Sequence, residues 1–470
     1  MRKLAAILLP LLASACAVGP DYKRPTTPPP AVGTFQTVAP GLSSAPAEDK
    51  WWRLYDDPAL DGLIQRALAA NTDLRAARAN LERAQAVLRE ARANYRPQGQ
   101  TTGSGQYGNS GGFVGQGGRS SEWIYNGGIN IEWELDLFGR IGRTVEAARA
   151  DADATAATRD RVALTVAAET ARAYVDACAL AESIAVARSS ADIAQRQLGL
   201  IDQRVRAGAA ARLDSERSAT TLANIRAELP TLEGRRRASL FELAALLGLT
   251  PAEVPAEAQA CARAPKVLQA IPVGDGQALI ARRPDVREAE RKLAADTARI
   301  GVTTAELYPK ISLGGSGNFF RNGQVRGSDS FTFALGPLLS WSFPSVLAGR
   351  TRIDQAEATT RASLASFDGA VLTALKETEQ ALSTYAAETE RNQRLREAVG
   401  HADVAYRLSD QRYRAGSTGL LDQLDAQREL IAARSALAAS DQQLGSLRVD
   451  LFKALGGGWA DLPPEAPRLN

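Results

Sequence analysis

Two stretches of this chain alternate between apolar positions and positions that are mainly small or polar. Ile129, Ile131, Trp133, Leu135 and Leu137 interleave with Asn130, Glu132, Glu134 and Asp136. Phe331, Phe333, Leu335, Pro337, Leu339, Trp341 and Phe343 interleave with Thr332, Ala334, Gly336, Leu338, Ser340 and Ser342. A period of two belongs to a β-strand. One face of each is apolar and aromatic and the other mainly small or polar, over about the 9–11 residues that a tilted strand needs to cross a bilayer. Other stretches carry the helical period. From Asp151 to about Arg206 there is no proline, Gly199 is the only glycine and alanine is abundant, which predicts roughly 55 residues of helix, about 80 Å long. Ile184, Ala191, Leu198 and Val205 hold one heptad position and Ala187, Ala194 and Ile201 the other, the spacing of coiled-coil packing. This helix stops at Arg206-Ala207-Gly208, and a second runs from near Asp214 to about Leu247 with Pro230 as a kink. A later returning helix carries Leu430, Leu437, Leu444 and Leu451 with Ala433, Leu447 and Ala454. Helices this long, packed through alanine, build a rod or a tube wall.

The strands and helices occur twice because the chain is duplicated. Asp73, Leu74, Arg75, Ala77 and Leu81 recur as Asp285, Val286, Arg287, Ala289 and Leu293. Pro97 recurs as Pro309, Gly103-Ser104-Gly105 as Gly315-Ser316-Gly317, Gly139-Arg140 as Gly349-Arg350, Leu213-Asp214 as Leu421-Asp422 and Leu247-Gly248 as Leu455-Gly456. The offset is about 210 residues throughout, far above the roughly 20–50 of solenoid repeats. The expected division is a signal peptide at 1–15, a lipidated N-terminal segment at 16–58, a first repeat at 59–250, a linker at 251–273, a second repeat at 274–457 and a tail at 458–470. Each repeat holds a helix, a strand pair at about 99–137 or 311–343, and a long helical hairpin at about 145–247 or 352–455.

The N-terminus sets the compartment. Arg2 and Lys3, an apolar run from Leu4 to Leu12 and the small residues Ala13-Ser14-Ala15 precede Cys16, the build of a secretory signal with a lipoprotein cleavage site. Cys16 is then the lipidated residue; Ala13 stands where the usual box has leucine, so cleavage by an ordinary signal peptidase is the alternative. No other segment approaches the ~18–20 continuous apolar residues of a spanning helix, so the protein spans by strands or is only tethered. Cys178 falls in a helical pattern and Cys261 in a linker, which reads as two unpaired thiols.

Little catalytic chemistry is on offer. A single histidine, His401, leaves no raw material for a zinc site or for histidine-based acid–base work, so neither metal, cofactor nor enzyme is expected. A net charge of +3 does not argue for nucleic acid, and Arg235-Arg236-Arg237 reads as a solvated helix face. Gly103-x-Gly105-x-x-Gly108 is formally a dinucleotide fingerprint, but no βαβ unit surrounds it; the stretch Gly99–Gly118 reads instead as a hairpin loop between two strands.

Counting strands leads to an oligomer. Two strands per repeat make four per chain, open strand edges are not tolerated in lipid, and closed outer-membrane barrels start at about eight strands. A dimer gives eight and a trimer twelve; only the trimer leaves an open lumen, because side chains fill an eight-stranded interior.

Several separate motifs resemble one family. Cys16 to Pro25 (CAVGPDYKRP), Trp51-Trp52 with Tyr55, Asp57-Pro58 and Leu60, Trp133 to Gly139 (WELDLFG), Arg283 to Arg287 (RPDVR) and Tyr413 to Gly416 (YRAG) are similar to those of the TolC-like outer-membrane factors, in the lipoprotein branch that serves resistance-nodulation-division efflux systems. The resemblance covers the whole mature chain. It implies a mixed α/β membrane protein that forms, as a homotrimer, a 12-strand transmembrane β-barrel continued by a 12-helix periplasmic α-barrel. Its implied partners are a periplasmic adaptor protein, an inner-membrane transporter and outer-membrane lipid. Trp133, Leu335 and Trp341 become lipid-facing strand residues. The helix-turn-helix segments at Arg206 and Gly208 and at Arg414 and Gly416 become the tips that dock the adaptor. Leu421, Asp422 and Asp425 become the gate, held by a bond from Tyr413 to Asp214. TolC itself has arginine where this chain has Thr418, so one locking contact should be missing. Within this architecture the exit channel of a type I protein secretion system is the alternative to an efflux duct, and a lipid-anchored coiled-coil scaffold that conducts nothing is the alternative outside it.

Overall fold

The computed structural model describes residues 17–26, 33–37, 39–109, 121–267, 269–323, 325–341 and 346–459. Cys16, residues 110–118 of the glycine-rich stretch, and Ser342 and Phe343 lie outside them. In chain order the elements are β1 (Leu42–Ser43), α1 (Pro58–Ala70), α2 (Thr72–Ala93), β2 (Gln98–Asn109), β3 (Ser121–Leu135), α3 (Arg140–Arg206), α4 (Arg212–Leu246), α5 (Ala256–Gln259), β4 (Ile271–Pro272), α6 (Gly276–Arg282), α7 (Pro284–Ala305), β5 (Lys310–Arg321), β6 (Phe331–Ser340), α8 (Val346–Arg414) and α9 (Leu420–Ala454). The series α2-β2-β3-α3-α4 returns in the same order as α7-β5-β6-α8-α9.

Local chemistry explains the boundaries. Asp57 accepts from the amides of Ala59 and Leu60 and so caps α1, with Pro58 as its first residue. Asn71 caps α2 by accepting from Asp73 and Leu74, and Asp136 caps α3 by accepting from Ile141 and Gly142 at 2.8 and 2.7 Å. That last cap starts the long helix at Arg140 rather than near Asp151. The helix is 67 residues long, about 100 Å at 1.5 Å per residue, and its counterpart α8 has 69. Both end alike. Gly208 and Gly416 each take φ +72°, and the amides that follow bond back to Arg204 and Arg412 at 2.8 and 2.9 Å, which is the Schellman arrangement that left-handed glycine permits.

The residues divide into two compact units, one formed by residues up to 25, Asn80–Ala156 and Glu288–Asp368, the other by Thr26–Ala79, Ala157–Arg287 and the chain from Gly369 on. The first unit holds a four-stranded antiparallel sheet in the order β2-β3-β5-β6. Gly103, Gly105 and Gly108, expected in a loop, lie in strand β2. Their partners supply the missing bulk: Gly105 faces Tyr125 and Gly99 faces Ile131, and the Tyr125 ring covers Gly105 at 3.5 Å from where a side chain would start. A neighbour's aromatic ring thus makes a glycine-rich strand tenable.

The second unit is a helical core with its own aromatic centre. Trp51, Trp52 and Tyr55 are buried, Trp51 stacks on Phe452 at 4.7 Å, and β1 pairs in parallel with β4. The predicted heptad positions pack inward: Ile184, Ala187, Ala191, Ala194 and Ile201 are buried, and Leu198 lies against them. Arg283 forks onto Asp285 at 2.7 and 2.9 Å, reaches Glu377 at 2.7 Å and donates to the Ala454 carbonyl at 3.1 Å.

The cysteines correct the reading of two free thiols. Cys178 and Cys261 form a disulfide, with Cα atoms 5.2 Å apart. Helix α4 returns antiparallel to α3, so the linker after it arrives beside the middle of α3, a proximity that no local pattern announces. Among the described residues no helix is long and apolar enough to cross a membrane.

Candidate functional site

The sheet exposes a face of membrane character. Its register sets Ile131 opposite Gly99 and Gly315, Gly315 opposite Leu335, and Trp133 opposite Leu313, so most of the apolar positions fall on one side, with Ile124, Phe320 and Leu338 on the other. Phe333 is 90% and Leu335 85% exposed, far beyond what a water-soluble surface tolerates as a contiguous patch. The opposite side carries Gln98, Gln100, Thr102, Asn130, Glu132, Ser312 and Asn318, with Ser312 donating to Glu132 at 2.8 Å. Aromatic residues mark both ends of the apolar side. Trp133 donates its indole N–H to the Tyr95 carbonyl at 2.9 Å, and Trp341, its repeat counterpart, donates to the Leu307 carbonyl at 3.1 Å. At the other end Tyr107, Trp123 and Tyr125 form a ladder with ring centres 5.6 and 6.0 Å apart. Ten residues separate Trp123 from Trp133; that is about 33 Å of strand, or about 25 Å of membrane normal at a tilt of about 40°.

The N-terminal segment is pinned at the foot of β3. The Val18 amide donates to the Phe138 carbonyl at 3.2 Å. Buried Arg143 of α3 binds the carbonyls of Val18 and Gly19 at 3.3 Å and the Asp21 carboxylate at 2.7 Å. Gly139, at φ +78°, leaves no room for a side chain, because a Cβ there would sit 2.7 Å from that of Ala17. Tyr22 donates to Glu290 at 3.1 Å, and burial, followed by that carboxylate, pushes its hydroxyl up to about 12. The residue following Cys16 is therefore fixed beside the strand-to-helix junction; Cys16 itself lies outside the described residues.

The two helical turns carry the remaining candidates. Arg206, Gly208, Arg414 and Gly416 are exposed, with Arg414 paired to Asp410 at 2.8 Å. Leu421 is 51% exposed and its counterpart Leu213 58%. Asp422 accepts from Thr418 at 2.5 Å, and Asp425 pairs with Arg428 at 3.1 Å; both carboxylates face solvent in the single chain. Tyr413 and Asp214 share no hydrogen bond within the chain. The Tyr413 ring instead lies under Arg204, whose guanidinium carbon is 4.6 Å from the ring centre. Sequence reasoning missed Arg204, and it missed Gln197 and Gln423, which join α3 to α9 at 2.6 Å. Their signal was a second heptad stripe, Ser183, Ser190 and Gln197, polar yet buried.

An open sheet with an exposed apolar face, followed in each repeat by a helix of nearly 70 residues, is the build of an outer-membrane channel subunit. A family model described as outer membrane efflux protein matches residues 63–249 and again 276–457, one match per repeat. Nodulation protein T of Rhizobium leguminosarum bv. viciae is 32% identical over 99% of this chain and 95% of its own length. The pyoverdine export outer membrane protein OpmQ of Pseudomonas aeruginosa is 32% identical over 98% and 97%. The solved outer-membrane channel OprN superposes with a TM-score of 0.87 at 33% identity, covering 94% of this chain and all of that one. The chain belongs to the outer membrane efflux protein family.

Proposed function

We propose that three copies of this chain close into a 12-strand outer-membrane barrel continued by a 12-helix periplasmic barrel, and that this duct is the exit of a tripartite efflux pump for small solutes. The observation that carries the reading is the four-stranded sheet with edges at β2 and β6 and a lipid-type face. Backbone groups on such edges must be paired in lipid, and further copies of the same sheet pair them at no cost in new structure. Trp133, Leu335 and Trp341 then face lipid, with the two tryptophans at the periplasmic interface. The pinning of Ala17 at the foot of β3 supports a diacylated Cys16 in the inner leaflet. The turns at Arg206–Asp214 and Arg414–Asp422 are the adaptor-docking tips, and rings of Leu421, Asp422 and Asp425 form the gate. The inner-membrane transporter, rather than this duct, sets the substrate, in keeping with relatives as different as a nodulation protein and a pyoverdine exporter.

The test is reconstitution of the full-length protein in planar bilayers, with its assembled mass measured in detergent. A trimer that conducts fits the reading. A protein that is monomeric or never conducts is a scaffold.

A further inference from the structure

The run Arg235-Arg236-Arg237 of α4, expected as a solvated helix face, is not uniform. Arg235 and Arg237 are exposed, while Arg236 is half-buried and donates to the carbonyls of Gln259 at 2.6 Å and Cys261 at 3.4 Å in the linker. Its Nε is buried without a partner among the described residues. The Cys178–Cys261 bond fastens the same stretch of linker to α3. Between α3, α4 and this stretch lies a cavity of about 560 Å³, within the size range of sites for small ligands.

The walls of the cavity are of two kinds. Ala181, Ile184 and Ala185 of α3 are small or apolar, whereas Arg188, Arg236 and Arg237 are cationic, and Glu233 is the only acid among the described residues that line it. Glu233 is already engaged by Arg188 at 2.7 Å. The acceptors of Arg236 are neutral carbonyls, and Arg237 makes no ion pair among the described residues, so two positive charges are left without a counterion.

The duplication shows that this charge is an addition. The Arg188–Glu233 pair recurs in the second hairpin as Arg396–Asp441, also at 2.7 Å, so the helices are held alike in both copies. Arg235, Arg236 and Arg237 correspond to Gln443, Leu444 and Gly445. There the same face serves packing: Leu444 lies against the core, and a side chain at Gly445 would begin 2.8 Å from Val175 of α3. A hairpin of this kind is therefore built without cations at these positions.

We propose that the cavity binds a peptide by its free C-terminal carboxylate, with Arg236 and Arg237 on the carboxylate and a small apolar side chain against Ala181, Ile184 and Ala185. A guanidinium fork matches a carboxylate in both charge and geometry. A bare phosphate would satisfy the arginines but leave the apolar wall uncovered. The disulfide and Arg236 hold the linker in place before any ligand arrives, so little ordering opposes binding.

Fluorescence anisotropy on the full-length protein in detergent tests it, with an alanine tetrapeptide that carries a neutral dye at its amino end and a free carboxylate at the other. Saturable binding is expected, and it should be lost when the peptide ends in an amide. Arg237→Ala should weaken it about ten- to a hundredfold, the range for a bond between charged partners; because Arg237 is exposed, the fold is not at stake. Arg235→Ala removes the same charge two residues away but outside the cavity, and should change affinity less than about twofold. Inorganic phosphate should compete more weakly than unlabelled peptide. Absence of saturable binding, as when a neighbouring subunit fills the cavity, overturns the proposal. So does binding of the amide as tightly as the acid, phosphate that competes better than peptide, or equal loss in the two arginine variants, which marks a diffuse basic surface. None of these outcomes bears on the duct reading, which stands or falls on conductance and assembled mass.

Discussion

At the scale of single residues, motif and role separate cleanly. The RPDVR segment was visible as a family mark, but its meaning needed contacts from distant parts of the chain: Arg283 joins the start of α7 to Glu377 of α8 and to the last carbonyl of α9, while Arg287 lies over Trp459 at 4.7 Å. Burial alone would lift the Asp285 carboxyl, but the Arg283 fork and backbone donors hold it below the ordinary carboxylate range. A depressed carboxylate stabilises the fold above its unfolded pKa of about 3.9, and the contribution disappears as the pH falls through the lower folded value. Asp285→Asn should therefore lower the thermal midpoint at pH 7, and its difference from wild type should narrow progressively as the pH falls below about 3.9, measured by circular dichroism. The tip carboxylates act differently. Asp422→Ala with Asp425→Ala should weaken cation selectivity and block by multivalent cations without changing oligomer stability, since both groups are exposed. Reversal potentials in a salt gradient check this; unchanged selectivity removes them from the gate.

At the scale of elements, legibility followed the contrast between the two sides of each segment. Strands β3 and β6 were readable because one side carries Ile131 or Phe333 and the other Glu132 or Thr332. The long helices were readable from alanine and heptads. Strand β2 was counted but its residues were read as a loop, because its apolar side includes Gly99, Gly103 and Gly105, whose cover comes from β3. The buried amide pair of Gln197 and Gln423 stayed hidden for a related reason, since a glutamine in a heptad looks like surface until its neighbours are known. The assignment of faces is testable on β6. Leu335→Arg should destabilise the barrel by about 2–4 kcal/mol if the side chain meets lipid near the midplane, whereas Ala334→Arg, on the other side, should chiefly alter conductance. Heat-resistance of the oligomer on gels, read beside conductance, separates the two; equal loss of oligomer in both reverses the faces.

At the scale of the whole molecule, duplication was legible and so was the strand count: four strands per chain were expected from sequence and four form the sheet, which is the ground for proposing that further copies close the barrel. The proposed gate was less legible, because rings of Leu421, Asp422 and Asp425 would form only between chains, and the single chain leaves all three facing solvent. Anchoring and assembly should be separable. Cys16→Ser should abolish incorporation of labelled fatty acid yet leave trimer formation largely intact, because closure of the barrel rather than the acyl chains satisfies the backbone in lipid. Metabolic labelling and native mass measurement on the same preparation decide it.

The Cys178–Cys261 bond spans 83 residues and encloses the whole first turn between α3 and α4. In a chain exported amino-terminus first, Cys178 reaches the oxidising compartment early and waits for Cys261. The bond cannot close before all of the first repeat has emerged, at which point most of the second is still in transit. Covalent closure is thus available as soon as half of the subunit is complete. The first hairpin can then be fastened at its base before its twin is present to pair with it wrongly.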